Sequence, residues 1–375
     1  MAEKLRILFV IDELGLGGTE GQLIEVMRRL DRAKFDVLLC CLSGPNSKVK
    51  EYIPELPKVK TLLQDVESTY SLSAILALYR LVRFIRSQHV DIVQAYFLKA
   101  KFLGVVAGKL AGIKTISCTR DLGIFINVVN ALPVKIANMC TDRFLVNSRC
   151  IRDYLIREQR IGPDKIDVIP NGVDLTRYRP IRKDEKVEYK RKLNIDPQCI
   201  VIGTIASLKP VKGLSDFIRA AALVHEADNK IHFVIVGEGP LRYALREEAA
   251  ALGVANVITF AGACVDIRPY LSAFDVGVLC SHSEGFSNAI LEYMAAGLPI
   301  IATAVGGNVE QIRDKETGFL VVSGDYESLA QHIVDITTNE KLRSTMAEAA
   351  LEYCSENFAM DSMIRRLEDY YFLQA

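Results

Sequence analysis

The chain is expected to be an α/β protein of two parallel, doubly wound domains, and three observations carry that expectation. Its 375 residues exceed what one hydrophobic core usually supports. Short apolar runs recur, separated by stretches with helical spacing, the pattern of strands joined by crossover helices. That alternation pauses once, at Pro170-Asn171-Gly172-Val173-Asp174 and the polar segment Arg177 to Asp184, and then begins again, as at an interdomain linker. The expected division is 1–175, 176–355 and a terminal helix in 356–375 that either caps the second sheet or crosses back to the first domain.

In the first series, Leu5 to Ile11 is an apolar strand, followed by Gly15-x-Gly17-Gly18 and a helical pattern from Thr19 to Leu30. Further strands are expected at Asp36 to Leu42, Asp91 to Ala95, Lys114 to Cys118, Arg143 to Val146 and Ile166 to Ile169, with a helix over Ser71 to Ser87. The second series places strands at Cys199 to Ala206, Ile231 to Gly237, Val257 to Ala261, Val276 to Cys280, Pro299 to Thr303 and Gly318 to Val322. A final helical pattern runs from Met360 to Leu373. Two such sheets are expected to turn their strand carboxyl ends toward a shared cleft, where open α/β sheets bind ligands.

Composition narrows the function. Half the residues are hydrophobic and a quarter charged, ordinary values for globular protein. Nine cysteines without a Cys-x-x-Cys pair, several in apolar runs, read as reduced thiols rather than disulfides or a zinc knot. No apolar run reaches the length of a membrane span, and the start leads straight into a strand pattern, so a cytoplasmic protein is expected. The net charge of zero conceals an asymmetry: residues 1–180 carry +8 and 181–375 carry −8. Between Arg80 and Arg160, 14 Lys and Arg face 5 Asp and Glu, which suits either solvated helix faces or contact with an anionic acceptor or membrane. No basic stripe with interleaved aromatics appears, which disfavours nucleic acid.

The most informative stretch is Ser281 to Pro299, which sets Glu284 and Glu292 on either side of a helix start. Gly285 admits close backbone approach, Ser287 can cap the helix, and the amides after it form a natural anion site. Two carboxylates would repel a phosphate but accept hydrogen bonds from the hydroxyls of a sugar and a ribose, so the pattern suits a nucleotide sugar. Lys209 and Lys212 lie on a loop at a strand's carboxyl end, where Lys212 can stabilise charge growing on a leaving diphosphate. Val236-Gly237-Glu238-Gly239-Pro240 reads more readily as a structural turn. Arg120-Asp121 ends another strand; an ion pair with Asp121 or another carboxylate and a role in holding an anionic acceptor or the donor are equally open. Gly15-x-Gly17-Gly18 lacks the third glycine of the dinucleotide fingerprint, which disfavours a dehydrogenase. The five histidines make no metal-ligand spacing and no Asp-x-Asp occurs, so neither a metal nor any other cofactor is expected. Hydrolase and kinase signatures are missing as well.

Taken together, Gly17-Gly18-Thr19-Glu20, Asn171-Gly172-Val173-Asp174, Lys212-Gly213, Val236-Gly237-Glu238-Gly239-Pro240 and above all Glu284-Gly285-Phe286 through Glu292 with Met294 to Pro299 resemble the GT-B glycosyltransferases, specifically the retaining family 4 group. The resemblance spans nearly the whole chain. It implies two Rossmann-like domains facing a central cleft, and metal-free transfer of a sugar from a nucleotide donor, UDP-linked by preference, to a hydroxyl acceptor in glycan, polysaccharide or glycolipid synthesis. It further implies that Glu292 holds the ribose, Glu284 the sugar, the amides of Phe286, Ser287 and Asn288 the distal phosphate and sugar, and Lys212 the diphosphate. Gly17 and Gly18 would close over the donor, the segment Gly262 to Val265 would meet the base, and Ser207, Lys209, Gly237 and Gly285 would complete the donor site.

Two departures stand out. Ser207 occupies the place where family members commonly carry Arg, and Arg120 stands where many place His. Arg cannot accept a proton at ordinary pH, so Arg120 is expected to position an anion. The implied chemistry is front-face displacement, in which the leaving phosphate oxygen takes the acceptor's proton. Competing readings are a nucleotide-sugar epimerase of similar fold and a non-catalytic nucleotide-sugar-binding module. The acceptor, anionic or lipid-linked, is not named by these residues. The stretch Leu122 to Ile136 is expected to be a buried helix, with peripheral contact to a membrane as the alternative.

Overall fold

The structure is a computed structural model that describes residues 4–15, 17–43, 59–123, 126–227 and 230–375. The chain divides into two compact units, 1–171 with 363–375, and 172–362.

The first unit runs β1 (Leu5–Ile11), α1 (Gly18–Arg29), β2 (Phe35–Cys41), β3 (Lys60–Leu63), α2 (Leu72–Ser87), β4 (Ile92–Tyr96), α3 (Leu98–Ala111), β5 (Lys114–Thr119), α4 (Ala131–Cys140), β6 (Arg143–Val146), α5 (Arg149–Arg157) and β7 (Ile166–Val168). The sheet order is β3-β2-β1-β4-β5-β6-β7, with every pairing parallel. Strands buried on both faces are apolar over most of their length, which is why β1, β2 and β4 read as hydrophobic runs interrupted only by Arg6, Asp36 and Gln94. β3 escapes that pattern. It is four residues long, sits at the sheet edge and begins on an exposed lysine, so hydrophobicity gives little sign of it.

Helices α2, α3 and α4 pack side by side over one face of this sheet, α2 starting where the Ser71 hydroxyl accepts the Ala74 amide. Gly108 lets α3 approach the sheet closely, since a methyl there would lie 2.6 Å from Thr115 Cγ2.

The second unit runs α6 (Lys183–Lys192), β8 (Ile200–Ile205), α7 (Leu214–Ala227), β9 (Ile231–Val236), α8 (Arg242–Ala251), β10 (Ile258–Gly262), α9 (Arg268–Ala273), β11 (Val276–Leu279), α10 (Asn288–Ala295), β12 (Ile300–Thr303), α11 (Asn308–Gln311), β13 (Gly318–Val321), α12 (Tyr326–Thr338) and α13 (Glu340–Asn357). Its sheet, β10-β9-β8-β11-β12-β13, is again entirely parallel. Two glycines seat large rings in its core: a methyl on Gly203 would meet Phe274 at 2.0 Å, and one on Gly277 would meet Tyr293 at 2.5 Å. Asp275 is anchored beside β11 by Lys186 at 2.8 Å, by buried Lys190 at 2.7 Å and by the Val201 amide at 2.9 Å. These partners hold its carboxyl below the usual range although burial pushes the other way.

The last helix, α14 (Met360–Gln374), joins the first unit from residue 363 onward. Its Tyr371 is fully buried, stands edge-on to Phe35 and donates its hydroxyl to Gln94 Oε1 at 2.8 Å. A helix distant in sequence thereby supplies core to the sheet of residues 5–168.

Candidate active site

In each sheet the strand order reverses once, between β1 and β4 in the first unit and between β8 and β11 in the second. Loops leaving adjacent strands diverge at such a point and leave a crevice beyond the strand carboxyl ends.

In the second unit the segments after β8, β9, β11 and β12 meet at this reversal. The β8 segment ends in a short 3-10 turn at Pro210–Lys212 and at Gly213, whose φ of 59° and closeness to Cys280 O exclude a side chain. That turn carries Lys212 beside the β11 segment, where Nζ donates to Glu284 Oε1 at 2.6 Å. The Ser281 hydroxyl donates to the same oxygen at 2.7 Å, and Ser281 is itself fixed from behind because Thr303 Oγ1 donates to its carbonyl at 2.6 Å. Both charged side chains are largely buried, so this pair feels less solvent screening than a surface pair. Lys212 and Glu284, 72 residues apart in sequence, therefore form one polar centre.

Glu284 and Gly285 rest on a glycine pair after β12 that no sequence expectation included. A methyl on Gly306, whose φ is 49°, would lie 1.6 Å from Glu284 O, and one on Gly307 would lie 2.2 Å from Gly285 O. The Gly307 amide donates to Glu284 O at 3.2 Å. Buried Gln311 was also missed: its Oε1 accepts the Ser287 amide at 2.9 Å and its Nε2 donates to Ser287 O at 2.7 Å. The Ser287 hydroxyl caps α10 as expected, accepting the Ile290 amide at 3.4 Å. Its amide, expected to meet a donor phosphate, is instead engaged by Gln311, so in this structure Ser287 shapes the loop. Adjacent glycines after a strand were the one available signal; nothing in sequence marks Gln311.

Glu292 lies on the first turns of α10, and Tyr178, from the segment before α6, donates to it. Burial pushes the Glu292 carboxyl up to about 7, while Tyr178 and nearby Arg177 pull it partly back. Phe286 is buried edge-on to Phe358 and Asn288 begins α10. Gly237 has a φ of 144°, and a methyl on it would meet Ala206 O at 1.9 Å, so it seats the backbone beside Ser207. Ser207 is half-buried, Lys209 exposed, and Val265 exposed beyond β10.

Gly17, Gly18 and Arg120 belong to the first unit. Gly17 caps α1, and Glu20 folds back over it so closely that a methyl would meet Glu20 Oε2 at 2.3 Å. Arg120 makes no salt bridge to Asp121. Its Nη1 donates to Asn171 Oδ1 at 3.3 Å and its guanidinium lies 5.8 Å from the Tyr96 ring centre, while Asp121 Oδ1 accepts the Gly123 amide at 2.7 Å.

Beside the first sheet's reversal lies a cavity of about 240 Å³, lined by Asp12, Lys101, Thr119, Asp121 and Tyr154 and by apolar side chains including Leu98 and Val134. Half-buried Lys101 donates to Thr119 Oγ1 at 2.9 Å, and desolvation pulls its ammonium below the usual lysine range. Asp12 accepts the Ala100 amide at 2.6 Å, and burial raises its carboxyl. No group of three His, Cys, Asp or Glu side chains suited to a metal ion occurs among the described residues.

Two parallel α/β sheets in two units, each reversing its strand order once, are the architecture of the GT-B fold. The family model Glycosyltransferase Family 4 matches residues 16–177, and Glycosyl transferases group 1 matches residues 185–353. The chain belongs to glycosyltransferase family 4, the group 1 glycosyl transferases. A UDP-Gal:alpha-D-GlcNAc-diphosphoundecaprenol alpha-1,3-galactosyltransferase of Escherichia coli is 28% identical over 373 residues, 95% of this chain and 94% of that relative. A D-inositol 3-phosphate glycosyltransferase of Rhodococcus jostii is 31% identical over 231 residues, 59% of this chain and 50% of its own. Among solved structures, Anabaena HepE with UDP-glucose superposes with a TM-score of 0.87 at 22% identity, covering 98% of this chain and 99% of that one.

Proposed function

We propose that the enzyme transfers a sugar, with retention at the anomeric carbon and without a metal, from a UDP-sugar bound in the second unit to a hydroxyl acceptor. The observation that carries this reading is the Lys212–Glu284–Ser281 centre at the β8/β11 reversal. An ammonium held by a carboxylate is a preorganised cation, able to turn toward a diphosphate as its charge grows. Once Lys212 shifts, Glu284 is a free acceptor for sugar hydroxyls, and Glu292 is placed on α10 to take those of a ribose. Two similar proteins, a UDP-Gal-dependent transferase and one solved with UDP-glucose, support uridine as the base.

In the step itself the acceptor oxygen bonds to the anomeric carbon on the face the diphosphate leaves. The anomeric C–O bond breaks, and the departing phosphate oxygen takes the acceptor's proton. No protein nucleophile is consumed, which distinguishes this route from that of retaining glycosidases. The acceptor side is assigned to the first unit, where the Asp12, Asp121 and Lys101 cavity offers carboxylate acceptors and one cation against an apolar wall. Arg120 is assigned to positioning an anionic group of the acceptor.

Purified enzyme with a panel of UDP-sugars tests the reading. A rise in melting temperature with one donor and acceptor-dependent release of UDP are expected. Lys212→Ala should lower kcat by about a hundredfold or more while the melting temperature stays within a few degrees. Conversion of donor to an epimer without acceptor, or donor binding with no turnover under any acceptor, refutes it.

A further inference from the structure

Helix α2 has two apolar faces, and among the described residues only one is covered. Ala74, Ala77, Leu81 and Ile85 are buried against the sheet, whereas Leu72, Ile75, Leu76 and Tyr79 repeat at helical spacing on the outer side and are exposed, Leu72 by 84%. The segment around α4 repeats the arrangement. Pro133 and Ala137 are buried, while Val128, Leu132 and Met139 face outward with Lys135 among them, Val128 being 94% exposed. The Tyr70 hydroxyl, at the start of α2, donates to the Val129 carbonyl and joins the two stripes into one surface. Residues 124 and 125, within the stretch for which a buried helix was expected, lie outside the described residues.

The charge on these helices has one sign. Helices α2, α3 and α4, which pack side by side, contain seven Lys and Arg and not one Asp or Glu. Four of these cations have partners inward or sideways: Lys99 donates to Val66 O, Lys101 to Thr119, Lys109 to Asp142 and Arg86 to Leu110 O. Arg80, Arg83, Arg86 and Lys135 are exposed alongside the apolar stripes, with Arg83 lying over the Tyr79 ring at 5.8 Å.

We propose that this face docks on an anionic lipid bilayer, with Leu72, Ile75, Leu76, Leu132 and Met139 entering the interface and Arg80, Arg83, Arg86 and Lys135 meeting the headgroups. Exposed leucine, isoleucine and tyrosine flanked by cations, on helices that carry no acid to repel phosphate, match what an interfacial surface needs. A protein partner would ordinarily be met by a patch whose core is poor in like charge and whose rim carries both signs. Among the described residues no helix is long and apolar enough to cross a membrane, so the contact is peripheral. The inference rests on the acceptor reading above and deepens it: an enzyme lying on a bilayer reaches hydroxyls of lipid-linked acceptors. The outer face of α4 would meet lipid, while Val134 and Ala137 on its inner side line the cavity.

Co-sedimentation of the full chain with phosphatidylcholine vesicles, with and without phosphatidylglycerol, tests the proposal. Binding to the anionic vesicles at low salt, weakened by salt, is expected. Combined Ile75→Ser, Leu76→Ser and Leu132→Ser should weaken it more than tenfold, and combined Arg80→Gln, Arg83→Gln and Arg86→Gln about a hundredfold. All six side chains are solvent-facing, so both variants should keep the wild-type melting temperature and the melting shift given by UDP-sugar. Wild-type protein left in the supernatant, or variants that bind like wild type, overturn the docking surface. Loss of the UDP-sugar shift in the wild type would instead strike the donor reading, so the two failures are distinguishable.

Discussion

Glu292 ties donor affinity to pH. Burial raises its carboxyl from 4.5 to about 7, yet a ribose diol is best held by the ionised form. Taking 7 as the midpoint, about nine-tenths of the empty sites carry the anion at pH 8 and about one-tenth at pH 6. Donor should therefore bind about tenfold more weakly at pH 6 than at pH 8, and binding at pH 6 should be accompanied by proton release. Calorimetry with a UDP-sugar suits the measurement because its diphosphate is esterified at both ends and has no titration near pH 6, unlike the terminal phosphate of UDP. Glu292→Gln removes the titration, so its affinity should be flat between those values and closer to the acid-side figure. The same residue has a stability signature. A carboxyl raised in the folded state favours folding below its unfolded value of 4.5, and that advantage is lost as pH rises through 7. Glu292→Gln should consequently raise the stability of ligand-free enzyme at pH 8, by up to about 3 kcal/mol, and leave it nearly unchanged at pH 4. A wild-type affinity that is level from pH 6 to 8, or a glutamine variant with the wild-type slope, refutes the argument.

Three further outcomes follow from the site's supports. Gly306→Ala places a methyl against the Glu284 carbonyl in a left-handed conformation, so it should cost about 1–3 kcal/mol in chemical denaturation and lower kcat/KM. Gln311→Ala strips both hydrogen bonds from the Ser287 peptide and should raise the donor KM about tenfold, as steady-state kinetics would read; an unchanged KM would show that the loop holds itself. Asp275→Ala leaves Lys190 buried without its carboxylate and should destabilise the second unit by about 3–5 kcal/mol in urea unfolding. Because the Asp275 pKa is lowered on folding, the wild-type advantage over that variant is present above the unfolded carboxylate value and should fade as pH falls through the folded one.

Much of this architecture was legible in the chain because parallel strands covered on both faces need to be apolar over most of their length. All twelve strands expected from sequence appear with ends within a residue or two, and the missed one, Lys60–Leu63, is a short edge strand without that requirement. At the site, the spacing from Glu284 to Glu292 and the single Lys212 turn were readable as local patterns. Gln311, Tyr178 and the Gly306-Gly307 pair were not, because each acts across a distance in sequence on a peptide or carboxylate elsewhere.

Sequence alone determined the two-sheet α/β organisation and the side chains available for chemistry, since hydrophobic periodicity and glycine-bounded turns are properties of neighbouring residues; the glycosyltransferase class came from the resemblance of its motifs to family 4. Tertiary structure alone decided that Lys212 is held by Glu284, that the Ser287 amide is already spent on Gln311 and that Arg120 turns to Asn171 rather than Asp121. It also decided that one face of α2 stays apolar in the open. Partner choice for a hydrogen bond or a buried face is set by which groups the folded backbone brings within a few ångströms, and local spacing carries no record of that.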